Sequence, residues 1–443
     1  MGPLHGVRVI VAGAGLAGLT AARSLAGQGA SVRVIEARSR VGGCVWTWRA
    51  APIAPYHVEL GGEFIDKSHR ALRQVCKELD LPLVRVLRRG FGAALGHAAR
   101  TRVFEKQAPL WKSLKNALAP AVEALEDADR KWTSSAAAAL AARSVEDLLN
   151  GAHVEPRVRA LAVALRGLFL ADPDRLSALV FVNQLLEGDP SRVPMYRIDG
   201  GNDRLPEALA KEAGRVDLGH VVRAVQQDER SVRVAIEGPS GRRAKARADY
   251  LIAAVPVPLL LEWEFLPALP KPQQHALRSL PYGQATKVIL RFESRWWRQP
   301  GRPRAFATNM PIGAVWESAE EQPHAALLTL LAGGSASRQV RKLLSDEGPS
   351  GLKKRLQWFG RPRDASAVHT VVWEDDQWAR GGYPYLSPGF DPGLIDLPGR
   401  AMGRVLFAGG HTSRDFQGYM NGAIDSGLRA AAEVSQLERI RRL

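Results

Sequence analysis

The clearest organisation of apolar and polar positions lies at the start of the chain. "VRVIVA" (7–12) is a continuous apolar run suited to a strand buried on both faces. "GAGLAG" (13–18) follows as a turn, "LTAARSLAGQG" (19–29) has helical spacing and ends on glycine, and "SVRVIE" (31–36) is strand-like again. Together they predict a βαβ unit of about 30 residues. A short helix is expected over 71–80, and 105–190 reads as a helical insertion, Ala- and Leu-rich and broken at Pro120, Pro156, Pro173 and Pro190.

From 196 the pattern changes. "YRIDGGNDRLPEALAKEAG" is a strand end, a Gly-Gly turn and a helix; "HVVRAVQQ" and "SVRVAIE" alternate like strands joined across "DER"; "ADYLIAAVP" (248–256) is a buried strand. Further strands are expected over 287–292 and 325–331, a helix over 335–357, and a last strand, "RVLFAGG", before a helix from 418 to 440. Pieces of nucleotide-binding type therefore recur at both ends and in the middle. The fold expected is α/β: a discontinuous Rossmann-like domain from 1–80, 196–272 and 380–443, plus a domain of mixed sheet and helical insertion from 81–195 and 273–379.

Composition narrows the class. At 443 residues, 46% hydrophobic and 24% charged, the chain has room for two cores. It has no run of eighteen apolar residues, and its start reads as strand, turn and helix rather than as a signal peptide, so a cytoplasmic protein without a membrane partner is expected. Cys44 and Cys76 are the only cysteines, which argues against a disulfide framework or a cysteine metal site. The net charge of +16 comes from scattered basic residues with no aromatic-interleaved stretch, so no nucleic-acid partner is expected. The ten histidines suggest no metal site, and only His411 falls in a motif.

The chemistry begins in the first turn. Gly13 permits a tight turn, Gly15 lets a pyrophosphate approach the backbone, and Gly18 lets helix and strand pack closely, with Leu16 and Ala17 opening the helix. Glu36 ends the second strand where a carboxylate can accept from ribose hydroxyls. Gly42 and Gly43, with Arg40 and Arg49 nearby, suggest a second close approach and cations for the pyrophosphate.

Here the chain resembles the flavin-containing amine oxidase (flavin monoamine oxidase) family. The resemblance rests on "EARSRVGGCVWTWR" (36–49), "VELGGEFID" (58–66), "YRIDGGNDRLPEALA", "SLPYGQATKVILRFESRWW" (279–297) and "RVLFAGGHT…GYMNGAIDSGLRAA", in the family's order. Cys44 stands where the family usually has arginine, and Gly410 where it usually has a carboxylate. The resemblance implies FAD, noncovalent because 378–389 lacks cysteine, held also by Ala37, Arg38, Gly61, Gly62, Glu63, Phe64, Val222, Gly409, Gly410 and Met420.

It further implies that Lys287 serves the flavin through a water, although a lysine in "KVILRF" read alone points to solvent. Tyr419, and Tyr383 from "WARGGYPYLSPG", are the expected substrate-facing aromatics, and the bare positions Gly418, Gly422 and Ser426 are expected to face the cofactor. The implied reaction takes an amine to an imine by hydride transfer to flavin N5. O2 reoxidation gives hydrogen peroxide, and the imine hydrolyses. An L-amino acid oxidase, a desaturase or protoporphyrinogen-oxidase-like enzyme, and a noncatalytic FAD-binding scaffold are the alternatives, and a homodimer is the expected assembly. No arginine occurs in "GGEFID", which argues against amino acids, and the +16 charge argues against polyamines.

Overall fold

The computed structural model describes residues 2–97, 100–104, 106–189, 193–362 and 365–442; Pro190, expected to end a helix, lies outside them. The first apolar run forms the strand Arg8–Ala12 in the middle of a parallel five-stranded sheet. In spatial order the sheet runs Arg215–Leu218, Ser31–Glu36, Arg8–Ala12, Tyr250–Ala253, Val405–Phe407. Its central strands are apolar on both sides because both faces are covered. Val9, Val11, Ile252 and Leu406 pack under the helices Leu16–Gly27 and Met420–Arg441, and Ile10, Ala12, Leu251 and Phe407 pack under the meander Val221–Gln227, Val232–Glu237 and Arg243–Ala248.

The two helices cross closely because Gly427 faces the first one. A Cβ there would lie 2.4 Å from the Ala17 carbonyl oxygen. Gly18 is held by the same logic, since a Cβ would come within 2.0 Å of the Gly13 carbonyl.

A second, seven-stranded sheet is ordered Ala365–Val372, Ala285–Phe292, Leu327–Gly333, Ala314–Glu317, Ala305–Thr308, Phe91–His97, Arg100–Phe104. Most neighbours are antiparallel, but Ala305–Thr308 runs parallel to Phe91–His97. Seven helices between Ala108 and Glu187 fill the expected insertion. Pro120 and Pro156 lie in the first turns of their helices, where a missing N–H costs nothing, so they start helices rather than end them. The helix Ser335–Arg355 is broken at Gly348, φ +60°, just before Pro349. Leu83–Val86 pairs with Met195–Ile198 and ties the segments on either side of the helical insertion.

Candidate active site

The C-terminal ends of the parallel strands and the inner face of the second sheet enclose one cavity of about 630 Å³. At one end the turn after Arg8–Ala12 supplies Gly13, Gly15, Leu16 and Ala17 to its wall. Gly13 sits at φ +103° with the Ala254 carbonyl where a Cβ would go, so only glycine fits without strain. Gly15 is open: the nearest atom to a Cβ there would be the Gly43 Cα at 4.0 Å, leaving two bare backbones facing each other across the wall. Gly15 also begins the helix Leu16–Gly27, which has no side-chain cap and no acid in its first turn. Free N–H groups at that end fit an anionic group.

Glu36 closes this end beside Ala37 and Arg38. Its carboxylate accepts from Ala14 N at 2.7 Å and Arg38 N at 2.8 Å, and burial pushes its pKa above the ordinary value. Arg38 is fixed by a bidentate pair with Asp376, at 2.8 and 2.6 Å. Gly42, Gly43 and Val222 also line the wall.

Three sequence expectations are redrawn. Arg40 is not on the cavity wall: its guanidinium donates to the carbonyls of Val41, Val45 and Gly43 and clamps its own loop. Arg49 is spent on Asp203 and the Gly200 carbonyl. Gly422 faces Phe416 and Ser413 of the preceding loop rather than open space, whereas Gly18, off the cavity wall, packs helix on turn as its place in the motif predicts. Ser426 Oγ accepts from Gly409 N at 2.9 Å, so that stripe shapes the turn at 409–416.

The other end holds the reactive side chains. Lys287, on Ala285–Phe292, is 2% exposed and points inward, not to solvent. Its Nζ donates to the Glu59 carbonyl at 2.9 Å, the Gly61 carbonyl at 3.0 Å and Glu63 Oε2 at 2.7 Å. Three acceptors account for its three ammonium protons, so Lys287 presents fixed charge rather than a free N–H. Glu63 Oε1 accepts from Arg197 Nη2 at 2.5 Å and Trp316 Nε1 at 2.8 Å. The neighbouring Glu59 carboxyl accepts from Asn202 N and Thr47 Oγ1, and burial pushes its pKa up to about 8.

Tyr383, Tyr419, Phe64 and Met420 complete this end together with Gly61, Gly62, Gly409 and Gly410. Tyr383 is oriented by its hydroxyl, which donates to the Leu168 carbonyl at 2.5 Å, and its ring fills the space above Gly418. Burial raises the pKa of Tyr383, and both tyrosines are neutral phenols at neutral pH. Tyr419 keeps 40% of its surface open, and it lines the cavity while meeting His69 edge-on at 5.3 Å. Burial lowers His69 to about 4, so it adds no cation there at neutral pH.

Arg197, Trp316 and Asp376 are constraints that sequence reading missed, because each acts through a partner far along the chain. His411 also lines the wall; it is 5% exposed, with Nε2 unpartnered and its pKa lowered to about 4 by burial. A Cβ on Gly410 would meet nothing closer than 3.5 Å, leaving open space where a larger side chain would stand. Among the described residues no His, Cys, Asp and Glu cluster could hold a metal.

The bare glycines, the uncapped helix end and the orphaned His411 nitrogen suit a long, polar, phosphate-bearing cofactor. A family model described as flavin containing amine oxidoreductase matches residues 16–435. An amine oxidase (flavin-containing) of Oncorhynchus mykiss is 25% identical over 96% of this chain and 85% of its own length. Cyclohexylamine oxidase from Brevibacterium oxydans IH-35A superposes with a TM-score of 0.84 at 26% identity, covering 97% of this chain and 99% of that one. A putrescine oxidase, at 22% identity and a TM-score of 0.83 over 97% of this chain and 99% of that one, shares the fold.

Proposed function

Because the chain belongs to the flavin-containing amine oxidoreductases, enzymes that bind FAD and act on amines, we propose that it oxidises a primary or secondary amine with an apolar body to the imine, which hydrolyses to a carbonyl compound, with O2 as acceptor and hydrogen peroxide as product. The observation carrying this reading is that a single cavity joins the glycine cradle at Gly13, Gly15 and Gly43 to Lys287, Tyr383 and Tyr419. The cradle and Glu36 would hold the pyrophosphate and ribose of FAD, and Gly61, Gly62 and Gly409 would flank its flavin end. Bound FAD would supply the two-electron chemistry, as acceptor of the hydride lost from the carbon beside the amine nitrogen.

The chain's own contribution is orientation, dryness and charge. Leu168, Phe169, Phe64, Trp316 and Leu331 wall the chamber and favour an apolar substrate body. The neutral rings of Tyr383 and Tyr419 face the same space and would align the uncharged amine. Lys287 is the positive end of a buried ion pair with Glu63, a fixed dipole that would favour electron transfer to O2 without leaving net charge on the wall. FAD is held noncovalently in this reading: Cys76 is buried in the core, and Cys44 lines the wall beside Gly43 at the cradle end. A cytoplasmic setting belongs to the same proposal, supported by these two free thiols.

A diamine substrate has one observation in its favour. Glu187 lines the cavity, its charge and that of Asp66 bear on Tyr419, and a second ammonium could pair with it. This local charge matters more to a bound substrate than the net +16. A Glu187→Gln variant that loses activity on a diamine but keeps it on a monoamine supports this second reading.

The decisive experiment is the visible spectrum of the purified protein, followed by anaerobic titration with an amine panel. Flavin bands bleached by an apolar amine support the proposal. Absence of flavin, or flavin that no amine reduces, sinks it; the latter points to a desaturase or a scaffold.

A further inference from the structure

Glu63 is where the buried cations at the substrate end of the cavity are neutralised. One carboxylate oxygen accepts from Lys287 at 2.7 Å, and the other accepts from Arg197 at 2.5 Å and the Trp316 indole at 2.8 Å. The cations are spent elsewhere as well: Lys287 on the carbonyls of Glu59 and Gly61, and Arg197 Nη1 on the Ser318 carbonyl at 2.6 Å and Glu321 at 3.0 Å. The side chains of Lys287, Glu63 and Arg197 are all at most 4% exposed. Lys287 and Glu63 are on the cavity wall, and Arg197 lies behind it with its guanidinium 5.5 Å from the Phe64 ring. Glu59, the other carboxyl in this group, is held largely protonated at neutral pH by burial and adds little charge.

The electrostatic consequence follows from the count of charges. With Glu63 ionised, the wall offers a substrate no uncompensated cation. Without it, two buried cations would share only Glu321, and in a site of low dielectric the surplus would attract an anion strongly. We propose that Glu63 is a specificity-determining residue: together with Glu321 it balances Lys287 and Arg197 and so keeps the chamber from binding carboxylates, so that simple amines are accepted and amino acids are refused. This rests on the amine-oxidising reading above and sharpens its substrate class.

The test is binding of benzoate and benzyl alcohol, an anionic and a neutral ring of similar shape, followed by the difference spectrum of the flavin in the holoenzyme. Wild type is expected to bind benzoate at least roughly tenfold more weakly than benzyl alcohol. Glu63→Gln should tighten benzoate by roughly tenfold or more and leave benzyl alcohol within about twofold, while Glu63→Asp, which keeps the charge, should restore the wild-type ratio. A merely structural Glu63 would lower the melting temperature of the Gln variant and leave the ratio unchanged, which overturns the proposal. If the Gln variant does not fold, wild type still decides: benzoate bound as tightly as benzyl alcohol overturns it. Protein that binds no flavin fails the amine-oxidase reading instead, so the two failures are distinguishable.

Discussion

The Lys287 ammonium and the Glu63 carboxylate lie 2.7 Å apart at the cavity wall, their side chains 3% and 4% exposed. Lys287 belongs to the seven-stranded sheet and Glu63 to the loop that follows Val58–Glu59, so the pair fastens two parts of the molecule together.

Replacing Lys287 by Met removes one member of a buried pair, a change that typically costs about 3–5 kcal/mol. Glu63 keeps Arg197 and Trp316, so the variant should fold near the mild end of that range, read as a lower urea midpoint. Loss of the fixed charge should slow reoxidation of the bound flavin by O2 roughly a hundredfold in stopped-flow mixing, with amine reduction much less affected. Unchanged reoxidation would remove the role assigned to Lys287.

Two glycines of the first turn should respond differently to alanine. Gly15→Ala meets no protein atom closer than 4.0 Å and should fold normally, while its methyl group, set in the cradle, lowers FAD affinity by roughly tenfold or more. Gly18→Ala would drive a Cβ to 2.0 Å from the Gly13 carbonyl and should destabilise the apoprotein itself. Apoprotein melting and flavin-fluorescence titration separate the two outcomes.

Glu59 should make stability depend on pH in a direction unusual for a carboxylate. Its folded pKa, about 8, stands above its ordinary 4.5, so between those values the folded state holds a proton that the unfolded state has released. Its contribution is therefore fully present below about 4.5 and lost as pH rises toward 8, with a limiting slope of about 1.4 kcal/mol per unit. Glu59→Gln cannot titrate, so the stability of wild type relative to it should fall from pH 5 to pH 8 in urea titrations. A constant difference would count against the assigned protonation.

The βαβ unit was legible because its signals are local: a doubly buried strand, glycines at fixed offsets and an acid at the end of the next strand. Lys287 was not legible from its own strand, since "KVILRF" alone suggests a solvent-facing head and its carboxylate partner is 224 positions earlier. Arg40 misled for the opposite reason. Its proximity to Gly42 and Gly43 suggested an anion, but the nearest acceptors were the carbonyls of its own loop. Phe91–His97 was overlooked as a strand because "FGAALGH" is poor in β-branched residues; its place is set by pairing with Ala305–Thr308.

The close crossing at Gly427 has a consequence for how the chain is made. Leu16–Gly27 leaves the ribosome some four hundred residues before the helix that covers it, and the edge strand Val405–Phe407 is equally late. Until then the apolar layer around Val9, Val11 and Leu19 lacks its lid, and the emerging chain must be kept from sticking to others. Covering of the parallel sheet by Met420–Arg441 thus comes long after its first strand is made, and damage to that helix should surface first as aggregation of new chains.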